Sequence, residues 1–231
     1  MDVNKNSYTF GFAAVMVVVV AALLSVAAIL LKPSQSRNIL LEKKQNILSS
    51  VGINIDREAA DIQYPIFVKE ELVLNYKGEE IDGVAFDVDL QKELKKDKTL
   101  QSLPLFISEV DGKKQYIIPL RGKGLWGPIW GFISLENDLN KVFGAVFDHK
   151  SETPGLGAEI SQDNFEDQFV GKLISNGNNY KAVEVNKPGN PLNEYQVDGI
   201  SGGTFTSVGV EEMMSRTLLV YHKYIKNLNK S

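Results

Sequence analysis

The feature that most constrains this chain is the run from Phe10 to Leu31, FGFAAVMVVVVAALLSVAAILL, which carries no charge. Such a run crosses the hydrocarbon of a bilayer as a helix, because only a helix satisfies its own backbone donors and acceptors there. A cleaved signal peptide is the rival reading. Its apolar region is usually shorter than about 15 residues and ends in a polar, small-residue site. Here the run continues through Ile29-Leu30-Leu31 to Lys32, which favours retention. The expected organisation is a short tail over residues 1–9, a single transmembrane helix over 10–31 and one folded domain over 32–231. Charge bears on orientation: Lys5 precedes the span, whereas Lys32, Arg37, Lys43 and Lys44 follow it. By the positive-inside rule alone, the larger part would stay cytoplasmic.

The remainder can bury a core, since the chain has 231 residues and 43% of them are hydrophobic. The net charge of -4 comes from interspersed lysines and acids, so there is no basic stripe and nucleic acid is not an expected partner. Cysteine is absent, which removes disulfides and thiolate metal sites, and His149 and His222 stand alone in sequence. No metal site is expected.

Spacing supplies the elements. An amphipathic stretch over 38–51 leads out of the anchor, and Glu71 to Tyr76 reads as a strand. The segment 88–98 reads as helix. Segments 114–120, 129–135, 141–147 and 180–185 are rich in β-branched and aromatic residues and read as strands. Over 207–228, Val210, Met214, Leu218, Tyr221, Ile225 and Leu228 recur at helical intervals. The fold class expected is α+β, with a mainly antiparallel sheet and a C-terminal helix after the membrane span.

Three glycine-bearing segments carry what chemistry there is. Gly122-Lys-Gly124-Leu-Trp-Gly127 matches G-x-G-x-x-G, but Pro128-Ile-Trp-Gly-Phe-Ile reads as turn and strand where a dinucleotide site needs a helix. It is either a hairpin exposing Trp126 or part of a pocket wall. Glu152-Thr-Pro-Gly-Leu-Gly157 contains a tight-turn sequence and could also lay backbone donors along a flat heterocycle. Ser201-Gly-Gly-Thr-Phe-Thr206-Ser207 precedes a helix, where unpaired N–H groups hold an anion; an ordinary hydroxyl N-cap is the alternative. No Gly-x-Ser-x-Gly elbow with His and Asp partners appears, and Glu211-Glu212 suits a first helical turn better than a glycosidase pair. No autonomous catalytic residue is expected.

In their order, the anchor, GKGLWGPIWGF, ETPGLGA and DGISGGTFTS resemble the NqrC family, a component of the sodium-translocating NADH:quinone reductase, with the RnfG component of the Rnf complex as the nearest relative family. The resemblance covers most of the chain and is strongest from about Arg121 to Gly209; Gly-Leu-Trp favours NqrC over the Rnf relative. It implies FMN joined through its phosphate to Thr206, with Ser201, Gly202, Gly203, Thr204 and Ser207 around the phosphate. Gly203 departs from the family's usual alanine, which is expected to loosen the backbone. Leu125, Trp126, Glu152, Thr153, Leu156 and Gly157 would line the flavin pocket. The resemblance further implies a redox subunit of the bacterial inner membrane with its domain extracytoplasmic, against the charge count. Its partners would be the other subunits of the complex and an FMN transferase using FAD and magnesium. A membrane-tethered flavin module without redox turnover, and a structural subunit without cofactor, are the alternatives. Thr206 is expected to be an exposed loop hydroxyl.

Overall fold

The computed structural model describes residues 6–177 and 179–228. The chain divides into two compact units, one up to Lys43 and one from Lys44 onward. In the first, helix α1 (Asn6–Ser49) carries the apolar run, and Phe10, Val17, Leu23 and Leu30 are each more than half exposed. A helix this apolar is incompatible with water on every side. It is long and apolar enough to cross a bilayer, its most apolar window having a mean hydropathy of 3.1. Residues 6–9, expected in the tail, are already helical, and residues 1–5 lie outside the described residues. The amphipathic stretch expected over 38–51 continues α1 to Ser49 without a break. Pro33 sits inside it and forfeits one intrahelical bond.

In the second unit, α2 (Arg57–Phe67) starts at Asp56, whose side chain accepts from the Ala59 N–H at 2.7 Å as an N-cap. Strands β1 (Val68–Leu74) and β2 (Glu80–Ile81), the single turn α3 (Leu90–Glu93), and strands β3 (Leu103–Val110), β4 (Lys113–Lys123), β5 (Pro128–Leu135) and β6 (Val142–His149) follow. The six strands form one sheet in the order β2-β1-β3-β4-β5-β6, with every neighbouring pair antiparallel. Beyond it come α4 (Asp163–Glu166), a small hairpin of β7 (Ser175–Asn176) and β8 (Asn179–Tyr180), a parallel pair of β9 (Glu184–Asn186) and β10 (Gln196–Asp198), and α5 (Thr204–Leu228). The α+β class expected from the sequence is the class observed.

Both faces of the large sheet are covered. Successive strand side chains point to opposite faces, so Leu105, Ile118 and Ile133 pack with Val210, Met214, Leu218 and Tyr221 of α5. Their neighbours Phe106, Ile117 and Phe132 pack with Ile47, Leu48, Ala60 and Tyr64 on the other side. A strand buried on both faces loses its polar alternation, which is why β3, LPLFISEV, escaped pattern recognition.

Two expectations fail. The helix over 88–98 shrinks to α3 between 3-10 turns at Ala85–Asp87 and Lys98–Leu100. No residue of α3 is fully buried and Leu90 alone of its four packs against the core, which is little support for a longer helix. The strand over 180–185 is two pieces, β8 ending at Tyr180 and β9 beginning at Glu184.

Helix α5 starts at Thr204, three residues before the expected Ser207. Its face of Val210, Met214, Leu218, Tyr221 and Ile225 is buried as the periodicity predicts; the Leu228 side chain lies outside the described residues. The Tyr221 hydroxyl donates to the Pro104 carbonyl at 2.6 Å, fixing the helix across β3. At the other end a Cβ on Gly209 would run into the Lys123 carbonyl. Glycine thus lets the amino end of α5 lie against the end of β4, beside the β4–β5 hairpin.

Candidate functional site

Three loops meet at the amino end of α5. The first is the β4–β5 hairpin, closed by the Gly124 N–H donating to the Gly127 carbonyl at 2.8 Å. No helix follows it, so the G-x-G-x-x-G match is a hairpin, with Leu125 and Trp126 50% and 67% exposed. The second leaves β6 and turns at Thr153-Pro154-Gly155, where the Thr153 carbonyl accepts from the Leu156 and Ala158 N–H groups, each at 3.1 Å. The third is the Ser201–Gly203 turn, entering α5 with Gly202 at φ 76.

Glu152 joins all three. Its Oε1 accepts from the Trp126 N–H at 2.8 Å and its Oε2 from the Thr206 hydroxyl at 2.6 Å. Its own N–H donates to His149 Nδ1 at 3.2 Å. Both members of the Glu152–Thr206 pair are inside the protein, 4% and 1% exposed. Burial by itself raises the Glu152 carboxyl. The Thr206 hydroxyl, with the N–H groups of Trp126, Gly127 and Leu125, outweighs that and holds it below the ordinary carboxylate range. Gly157 is required here, because a Cβ would overlap Thr206 Oγ1 and Glu152 Oε2 together.

Thr206 is therefore not the exposed loop hydroxyl expected. Because α5 begins at Thr204, the helical turn rotates Thr206 inward onto Glu152 and leaves Thr204 and Phe205 outward. The first i→i-4 bond of the helix runs from the Ser207 N–H to the Gly203 carbonyl at 2.9 Å, so the N–H groups of Thr204, Phe205 and Thr206 come before it.

The remaining expected residues sort by exposure. Ser201, Gly202, Thr204 and Thr153 face outward. Ser207 is buried, and its Oγ accepts from the Ile200 N–H at 2.9 Å, so that hydroxyl closes the loop. Gly203 does not leave a void: a Cβ there would come within 2.9 Å of Ile200 Cγ2, so the isoleucine branch fills the space of the absent methyl. Leu156 is 42% exposed, and Phe205, which no motif reading of the sequence singles out, is 73% exposed. Its signal is its place between Thr204 and Thr206, one residue out of phase with the buried face.

These residues suit a flavin phosphate. Donors precede the first helical bond, and Leu125, Trp126, Leu156 and Phe205 are exposed apolar side chains of the kind a flat ring packs on. Thr206 Oγ1 is covered, so a bond to it additionally requires the loop at Leu156 and Gly157 to open.

A family model described as the FMN-binding domain matches residues 124–219, from the hairpin into α5. NqrC, a subunit of the Na(+)-translocating NADH-quinone reductase, from Haemophilus ducreyi is 30% identical over 227 residues, covering 90% of this chain and 88% of the relative. Its counterpart from Pseudomonas aeruginosa is 31% identical, covering 91% and 90%. The crystal structure of the same subunit from Parabacteroides distasonis matches with a TM-score of 0.79 and 42% identity, over 84% of this chain and 96% of that one. Shewanella oneidensis NqrC matches with a TM-score of 0.70 and 25% identity, over 86% and 100%. With near full-length relatives and a shared fold, the chain belongs to the NqrC family of the Na(+)-translocating NADH-quinone reductases.

Proposed function

We propose that this protein is the membrane-anchored flavoprotein subunit of such a reductase, with FMN bound covalently through its phosphate to Thr206. The observation that carries this reading is the Thr206 hydroxyl, held at 2.6 Å from a carboxylate at the amino end of α5, where three loops converge. A phosphodiester there would leave one charged oxygen facing the Thr204, Phe205 and Thr206 N–H groups, with the outward hydroxyls of Ser201 and Thr204 at the edge. Leu125, Trp126, Leu156 and Phe205 would bear on the flavin ring, and Glu152, Thr153 and Gly157 would shape the loop behind it.

The bound flavin supplies one-electron chemistry between neighbouring redox centres. The chain itself sets the ring's position, limits its contact with water and fixes the charge around it. On this reading NADH is oxidised on another subunit, quinone is reduced on another, and sodium crosses the membrane through the assembly. Residues 10–31 anchor the domain from 32 onward in the inner membrane, with that domain outside. A folded domain of this length overrides the short charged flanks of the span. An FMN transferase using FAD and magnesium would load Thr206.

Burial of the Thr206 hydroxyl favours a second reading, in which flavin is held non-covalently by the exposed apolar side chains. Intact mass of the denatured protein from its own membranes, with peptide mapping across Val197 to Arg216, separates the two. Added mass of FMN less one water on Thr206, lost in Thr206→Ala, supports the covalent reading. A yellow preparation of unmodified mass supports the second, and an unmodified colourless one removes the flavin role.

A further inference from the structure

Glu152 is placed to do more than line a pocket. Its Oε2 lies 2.6 Å from Thr206 Oγ1, the atom that would become bonded to phosphorus. Its other oxygen is held by the Trp126 N–H at 2.8 Å. One oxygen is thus fixed by the hairpin while the other receives the threonine proton. Gly157, where a Cβ would overlap both partners, keeps that contact direct.

We propose that Glu152 is the proton acceptor that activates Thr206 for its own flavinylation, so that the acceptor protein supplies part of the chemistry of its modification. The proposal rests on the covalent reading above. In the step, the loop at Leu156 and Gly157 opens while the Trp126 N–H keeps Glu152 in place, and Thr206 Oγ1 attacks the flavin-side phosphorus of FAD, a pyrophosphate diester, on the transferase. The Oγ1–P bond forms as the P–O bond to the adenylate breaks, and AMP leaves with that electron pair. The Thr206 proton passes to Glu152 Oε2 and then to solvent. A carboxylate aligned on the hydroxyl removes its proton as the bond to phosphorus forms, the role of a general base. Once the bond exists, Thr206 has no proton to donate. The carboxylate then faces a phosphodiester anion and has lost the Thr206 donor.

The titratable groups around the pair are His149 at the end of β6, Lys150 after it, Glu159, whose Oε1 accepts from the Gly155 N–H, and Lys123 at the end of β4. All are unchanged in a Glu152 variant and cancel in a rate ratio against the parent protein.

The test uses the full chain, produced without transferase and purified in detergent, then incubated with transferase, FAD and Mg2+ while intact mass reports the addition. Glu152→Gln is expected to slow addition by about 100-fold near neutral pH. Its rate relative to the parent should climb from about pH 6 to about pH 9 as hydroxide replaces the lost acceptor. Glu152→Asp, which keeps a carboxylate, should recover most of the rate. Equal rates for Glu152→Gln and parent would overturn the proposal. So would a deficit that stays constant with pH and is shared by Glu152→Asp, since that pattern belongs to a residue that only holds the loops. Circular dichroism melting establishes that each variant is folded; if Glu152→Gln is not, the rate of Glu152→Asp decides alone. No added mass on the parent protein overturns the covalent reading and this proposal with it, whereas an intact parent rate with an indifferent Glu152 overturns this proposal only.

Discussion

Two of the glutamates that follow strand β6, Glu152 and Glu166, hold their protons in opposite ways. Glu152 has little exposed surface, yet it keeps its charge: burial pushes its carboxyl up, and the Thr206 hydroxyl and three hairpin N–H groups push it further down. Glu166, at the end of α4 and only partly covered, is pushed up to about 7 by burial. The Phe147 N–H, donating at 2.6 Å, opposes that rise, while Asp163, Asp167 and Asp148 add to it. Desolvation is the largest cause at Glu166, whereas at Glu152 it is outweighed. Four donors turned toward Glu152 overcome its desolvation, and the single Phe147 donor at Glu166 does not. The opposite shifts load stability onto opposite pH ranges. What Glu152 contributes is present above the ordinary carboxylate pKa and lost as pH falls through its depressed value; what Glu166 permits is full in acid and lost as pH rises through about 7.

The harshest way to break the comparison is Gly157→Val. Its side chain would occupy the space shared by Thr206 Oγ1 and Glu152 Oε2, parting the donor from the carboxylate. Loss of about 3 kcal/mol is expected in chemical denaturation followed by tryptophan fluorescence, together with loss of flavin incorporation.

Glu166→Gln tests the other side. A carboxyl whose folded pKa is raised binds its proton more tightly in the native state, so the protein loses stability as pH climbs from about 4.5 through about 7. The neutral amide still accepts from Phe147 and escapes that loss. The variant should gain about 2 kcal/mol at alkaline pH, after discount for partial exposure, and nothing in acid. Denaturation midpoints across that range read the difference directly, and a gain that is the same at every pH would contradict a raised carboxyl pKa as its cause.

What the sequence disclosed of all this follows the range of each interaction. The three glycine motifs were legible because turn chemistry is local: Thr153-Pro-Gly folds where it stands, and the hairpin at Gly124 closes on Gly127. The face of α5 was legible because periodicity is local too. The pairing of Thr206 with Glu152 spans 54 positions and depends on where α5 starts, so Thr206 reads as an outward hydroxyl until the helix is known to begin at Thr204. Strand β3 was hidden by being buried on both faces. Glu166 carries no motif, and only the fold brings it to Phe147.

Thr206→Val sharpens the comparison at its centre, by removing one donor from Glu152 while keeping the shape. Loss of a hydrogen bond to a charged group is expected to cost about 1.5 kcal/mol. The Glu152 carboxyl should move up toward ordinary values, visible by side-chain carbon NMR as a later titration. An unchanged titration would mean that the hairpin N–H groups alone hold the charge.

The smallest effect isolates charge from burial at Glu166. Asp163 opens the α4 turn that ends at Glu166 and is the first of the acidic neighbours that raise its pKa. Asp163→Asn removes that repulsion and leaves the burial and the Phe147 bond in place. Because Asp163 is exposed, solvent screens the interaction, and the gain at alkaline pH should stay below about 0.5 kcal/mol, fading further in high salt. Burial, first among the causes, would continue to hold Glu166 above the ordinary range. A gain as large as that of Glu166→Gln would reverse the order, making the acidic neighbours the dominant cause, and donor number would no longer be what separates the two glutamates.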